Sequence, residues 1–204
     1  MENITGNLKH TQPEAYPLDA LAAELERQAE IYKGLGVSKD VIMGLLAPRP
    51  ENLPPELSIP VVTLGSSVDL DTMESFSQIR IRYNKGLILG DISGGITYPE
   101  PHLIWMHDGS ENLDQSPEYV IASMLPNARP ATLTDGIALA MLHPEIIDTV
   151  WNKHIISLPG TDLGRNALLC LVQNRKDESK KSVNIEHVFD SVSSPDEGSA
   201  LSGN

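Results

Sequence analysis

The sequence has one cysteine, Cys170, set in the apolar run ALLCLV at 167–172. A lone thiol cannot close an intrachain disulfide, which fits a reducing compartment. In such a run it reads as a small buried hydrophobe rather than a reactive group. Aromatic residues make up 4% of the chain, so its core must be built from Leu, Ile, Val, Ala and Met. Basic residues are few: 15 against 28 acidic ones, a net charge of −13. That charge repels nucleic-acid phosphates and anionic membrane surfaces. No apolar run approaches the roughly 18 residues that span a bilayer. The opening MENITGNLKH lacks the basic-then-apolar pattern of a secretory signal. The expectation is a cytoplasmic protein that binds neither nucleic acid nor membrane.

Catalytic and cofactor motifs are equally scarce. Neither HExxH nor CxxC occurs. The loop Gly90-Asp91-Ile92-Ser93-Gly94-Gly95 lacks the Gly-Lys-Ser/Thr ending of a phosphate loop and does not spell the Gly-x-Ser-x-Gly nucleophile elbow. Asp69, Asp71 and Glu74 lack the Gly and distal Glu of a calcium loop and read as a solvated acidic turn. His102, His107 and Asp108 form the densest cluster of ligand-type residues, but positions five apart on a strand face opposite sides, so one strand cannot aim both histidines at one metal. No serine is fixed beside a histidine by spacing. These residues therefore nominate no catalytic group, no metal and no cofactor.

What the chain does have is clear start and stop grammar. Leu18, Leu21, Ala22, Leu25, Ala29 and Tyr32 recur at helical steps, and Gly34 and Gly36 follow, which predicts a helix over 18–33. Ser38 opens a second helix over 38–46, and Pro48 forbids its continuation. Five prolines between 47 and 60 predict an extended connector, which could serve as a ligand for an aromatic groove but more simply crosses a surface. IPVVTL at 59–64, the alternating IRIRY at 79–83, 87–89, 102–107, 154–158 and 167–173 read as strands. Residues 69–78 read as a short helix or a loop, and 183–189 as a strand or a turn of helix.

The stretch 98–151 organises the rest. Asp108-Gly109 makes a turn; Ser116-Pro117-Glu118 starts a helix that Pro126 stops; Thr132 with Asp135 three residues on forms a capping box that starts the next, broken at His143-Pro144. This stretch resembles the bacterial domain-of-unknown-function family 5701. The matching positions are Asp108, Gly109, Ser116, Pro117, Arg129, Thr132, Leu133, Asp135, Gly136, Ile137, Ala138, Leu139, His143 and Pro144, with Arg27-Gln28 and Leu35-Gly36 upstream. The resemblance spans residues 20–173. It implies a shared fold, and no catalytic residues.

The fold expected is α+β: an N-terminal helical hairpin, a mixed or antiparallel sheet of five or six short strands, and helices over 117–125 and 133–150 placed before the last two strands. The expected organisation is a flexible N-terminus at 1–16, a single domain at 17–175 and a mostly flexible tail at 176–204. Arg80, Arg82, Arg129 and Arg165 are the candidates for an anionic ligand, because guanidinium suits carboxylates and phosphates. Arg129 and Arg165 are preferred among them because both fall in loops. Two functions are carried forward. One is a non-enzymatic protein acting through contacts with a protein partner or with copies of itself. The other is a domain or enzyme that binds an anionic small molecule at Arg129 and Arg165.

Overall fold

A computed structural model of the chain describes residues 16–65, 67–68, 70–77, 80–82, 99–107, 109, 112, 115–124, 126–146, 155–158, 167–173, 183–189, 197–199 and 201–203. These residues mix helix and strand in an α+β fold. The strand expected at 87–89, the glycine loop at 90–95, Asp108 and Arg165 lie outside them, as does residue 147 onward of the helix expected to reach 150.

Helix α1 (Leu18–Tyr32) buries Leu21, Leu25, Gln28, Ala29 and Tyr32, one stripe at three- and four-residue steps. Burying Leu21 and Leu25 is worth about 1.5–3 kcal/mol each. A tight 3-10 turn at Lys33–Leu35 follows, closed by Gly36 at φ 79°, a left-handed conformation that costs glycine nothing. Ser38 then caps α2 (Lys39–Met43), its hydroxyl accepting from the Asp40 N–H. Helix α2 stops at Met43, short of the expected Leu46, with Gly44 at its C-cap.

The Pro-rich segment is not the extended connector that its composition suggests. Arg49 donates to the carbonyls of Leu53, Pro54 and Leu57, so the chain turns around its guanidinium. Leu53 and Leu57 are buried, and Arg49 lies 5.6 Å from the centroid of the Trp105 ring. Prolines leave carbonyls without matching N–H groups, and one arginine satisfies three acceptors at once.

Strand β1 (Ile59–Thr63) leads to α3 (Leu70–Ser77) and β2 (Arg80–Arg82). Strand β3 (His102–Met106) follows, antiparallel to β1 in a register that runs from Ile59↔Met106 to Thr63↔His102. Val61, Val62, Ile104, Trp105 and Met106 of this pair are buried. Helix α4 (Pro117–Ser123) starts as its sequence predicts, with Ser116 accepting from the Tyr119 N–H and Pro117 in the first turn. It ends two residues before Leu125, ahead of a turn with Asn127 at φ 71°.

After a two-residue strand β4 (Arg129–Pro130) comes α5 (Leu133–Leu142). It is buried on nearly every side, the mark of a helix inside a layer rather than on it. It packs on β1, and Gly136 lies against Leu158: a Cβ there would sit 2.5 Å from the leucine Cδ1. Helix α5 stops at Leu142, at the break expected from His143-Pro144, and residues 144–146 are again helical. Pro144 disfavours helical geometry at His143, which adopts φ −129° and ψ 60°.

The remaining strands are β5 (Ile155–Leu158), β6 (Ala167–Gln173), β7 (Val183–Phe189), β8 (Glu197–Ser199) and β9 (Leu201–Gly203). The described strands fall into two sheets, ordered β1-β3-β9-β4 and β2-β7-β6-β5-β8, in place of the one sheet expected. Periodicity identifies a strand but not its neighbour, and here chain-distant segments pair: β2 with β7 and β5 with β8 in parallel, β3 and β4 with β9 antiparallel. Strands β7, β8 and β9 all come from the stretch 176–204, expected to be mostly flexible.

Candidate functional site

Two polar networks lie within the packed interior. The first is built at the start of α5. Thr132 accepts from the Asp135 N–H while Asp135 accepts from the Thr132 N–H at 2.8 Å, so the capping box forms with aspartate in the usual glutamate position. The same carboxylate receives Arg129, whose two terminal nitrogens lie 2.7 and 3.3 Å from its oxygens. The Asp135 side chain is 2% exposed and that of Arg129 is 15% exposed. Arg129 thus neutralises a buried carboxylate that the helix start requires, and a third bond from it reaches the Pro130 carbonyl.

His102 lies within electrostatic reach of this pair. Burial pushes its imidazole below the ordinary histidine value; the Glu100 carbonyl and the charge of Asp135 oppose that shift, and Arg129 adds to it. Opposite His102 in the β1–β3 register, the Thr63 hydroxyl is buried with no hydrogen-bond partner among the described residues. A threonine hydroxyl, a histidine and a carboxylate have the composition of a nucleophile, a base and an orienting acid. Their bonding differs from that template. The His102 Nδ1 faces the Glu100 carbonyl at 3.1 Å, and Asp135 accepts from Arg129 and from the backbone of its own helix start.

The second network seals the open edge of β1. In a strand, alternate residues turn their backbone groups to opposite edges. Residues 59, 61 and 63 serve β3, which leaves 60 and 62 facing outward. Gln28 of α1 meets both: its Nε2 donates to the Pro60 carbonyl at 2.7 Å, and its Oε1 accepts from the Val62 N–H at 2.9 Å. The Tyr32 hydroxyl donates to the Val62 carbonyl at 2.5 Å. A glutamine amide and a phenol thus stand in for a neighbouring strand on an edge that would otherwise invite pairing. Pro60, which has no N–H, needs only its carbonyl satisfied.

Around Gln28 the network becomes ionic. Glu24 accepts from Gln28 and, through both oxygens, from Arg27. Burial opposes ionisation of Glu24, but these bonds and the nearby charges of Arg27 and His143 together hold its carboxyl below the ordinary glutamate value. His143, at the end of α5, reaches the Pro60 carbonyl, Glu24 and Glu145.

The residues nominated by sequence fare differently. Arg129 is bonded to Asp135, and Arg165 lies outside the described residues. His107 is buried; its Nδ1 accepts from the Gly109 N–H at 2.8 Å, and its Nε2 is 3.2 Å from the Asn112 side-chain amide. Among the described residues, no group of three or more His, Cys, Asp or Glu side chains is placed to hold a metal ion. Among the same residues, no helix is long and apolar enough to cross a membrane. A cleft of about 90 Å³ opens between the Pro-rich segment and α4, lined by Leu57, Asn112, Val120 and Met124 among others. It has room for a few waters, against roughly 300 Å³ for the smallest usual ligand pocket. Gln28, Tyr32, Arg49 and Asp135 were not nominated as functional residues. Only Asp135 had a signal, its place in the capping box.

No protein-family model matches the sequence, and no curated protein or solved structure matches it either.

Proposed function

We propose that this is a cytoplasmic protein that performs no catalysis of its own and acts through contacts with another protein or with copies of itself. The observation that carries the proposal is the engagement of Arg129. The arginine best suited by sequence to hold an anionic ligand is held by Asp135, at the start of the most buried helix. Gln28 and Tyr32 are likewise engaged in bonds that join α1 to β1, and Asp135 in the cap that starts α5. The acidic composition favours a protein partner over a nucleic acid. Kinship with the domain-of-unknown-function family 5701 is part of the same proposal, supported by the spacing from Ser116 to Pro144. So is the treatment of α1 and α2 as one helical hairpin, supported by the Lys39–Glu26 bridge between them.

Helix α4 is the surface to test first. It buries Val120 and leaves Tyr119 61% and Ile121 40% exposed. Tyrosine is enriched where protein surfaces meet. The full chain and a Tyr119→Glu, Ile121→Ser variant with an unchanged urea midpoint are used as baits against the source-cell extract. The reading expects one identified protein, or the chain itself, retained by the first and lost by the second. Equal retention by both baits counts against α4. A stoichiometric small molecule in place of a protein favours the anionic-ligand reading at Arg129 and Arg165.

A further inference from the structure

His143 closes the junction of α5, α1 and β1, and the groups around its ring are acceptors. Its Nε2 is 3.3 Å from the Pro60 carbonyl and 3.6 Å from Glu24 Oε1, and its Nδ1 is 3.1 Å from Glu145 Oε1. The side chain is 11% exposed. From α1 the charged groups facing this junction are Glu24 and Arg27, and Arg27 is matched by Glu24 through two bonds. From β1 comes only a carbonyl, and from the exit of α5 comes Glu145. His143 is also the C-cap residue of α5, and the end of a helix favours a positive charge.

A neutral imidazole has one N–H and one lone pair. In this setting one proton leaves a lone pair pointed at a carboxylate or at a carbonyl. Two protons give both nitrogens a bond to donate. We infer that His143 is a proton-gated latch. Doubly protonated, it donates from Nε2 toward Pro60 and Glu24 and from Nδ1 to Glu145, tying the end of α5 to α1 and β1. When the ring gives its second proton to solvent, the Glu145 arm is released and the junction loosens. Histidine is the side chain whose charge ordinarily changes between about pH 5 and 8. The contribution is full while the second proton is present and is lost as pH rises. The inference does not depend on the proposed function.

The test uses the full chain and two variants. His143→Gln keeps one donor for Pro60 and does not titrate. Glu145→Gln removes the charge of a side chain that is 66% exposed while keeping its size. Urea midpoints are measured at about pH 5.5 and about pH 8, on either side of histidine titration. Other groups that titrate, His102 among them, are common to all three proteins and cancel in the comparison. The latch predicts that the wild-type midpoint falls with rising pH by clearly more than that of either variant. Ring nitrogen NMR at the lower pH is expected to find both nitrogens of His143 protonated. An equal fall in wild type and His143→Gln overturns the inference. If His143→Gln fails to fold, the ring spectrum decides alone, and a ring holding one proton at the lower pH overturns it.

Discussion

Replacing Asp135 by alanine removes one carboxylate from two structures at once. The helix start loses the acceptor for the Thr132 N–H, and Arg129 loses the charge that balances it. An N-cap interaction is worth about 0.5–2 kcal/mol. Breaking a buried pair by deleting one partner costs about 3–5 kcal/mol, because the remaining charge stays inside. Arg129 retains some contact with solvent, its side chain being 15% exposed, which lowers the second figure. The two effects share the same atoms and do not add. The expected loss is about 3–4 kcal/mol, a large part of the roughly 5–15 kcal/mol that holds a domain folded. With a urea slope near 2 kcal/mol per molar, the midpoint drops by about 1.5–2 M. Equilibrium urea unfolding followed by Trp fluorescence measures it, since Trp105 is buried on β3. The double variant Arg129→Met, Asp135→Ala removes the stranded charge, so it is expected to be more stable than Asp135→Ala alone. A drop below about 1 kcal/mol, the range of an exposed pair, would refute the reasoning.

Three further outcomes follow from other contacts. Gln28→Leu keeps the volume of the side chain but leaves the Val62 N–H without its acceptor, so stability falls by about 2–3 kcal/mol and amide exchange at Val62 accelerates. Gly136→Ala gains about 1 kcal/mol of helix propensity but forces a methyl to within 2.5 Å of a fully buried Leu158. Overpacking of about 1–3 kcal/mol is the larger effect, so the urea midpoint should fall. Glu24 is held below its ordinary value in the folded protein, so its contribution is present above the unfolded value and lost as pH falls through the folded one. Glu24→Gln should therefore flatten the acid limb of the stability profile, measured as urea midpoints down to acid pH.

The helix starts were legible because their signals are local. Ser38, Ser116 and Thr132 each accept the backbone N–H that their positions predict. The buried stripe of α1 was legible for the same reason, with one exception: Gln28 sits in it as a polar residue whose role depends on a strand 32 residues away. The ends of α2 and α4 were overestimated because apolar periodicity continues past the turn that stops each helix. The sheets were the least legible part. β9 pairs with both β3 and β4, and nothing in LSG at 201–203 announces two neighbours. Arg129 was legible by residue type, and its bond to Asp135 was not. Its partner stands six residues away and was read for its capping role alone. The Pro-rich segment was misread as extended because its prolines are local and its arginine acts across the turn.

The most direct test of the account is native mass spectrometry of the purified full chain at low collision energy. If Arg129 serves Asp135 and the protein acts through protein contacts, the spectrum should hold the bare chain, whole multiples of it, or the chain with a protein partner. A small-molecule mass retained in stoichiometric amount, and lost in Arg165→Ala with the urea midpoint unchanged, would contradict it.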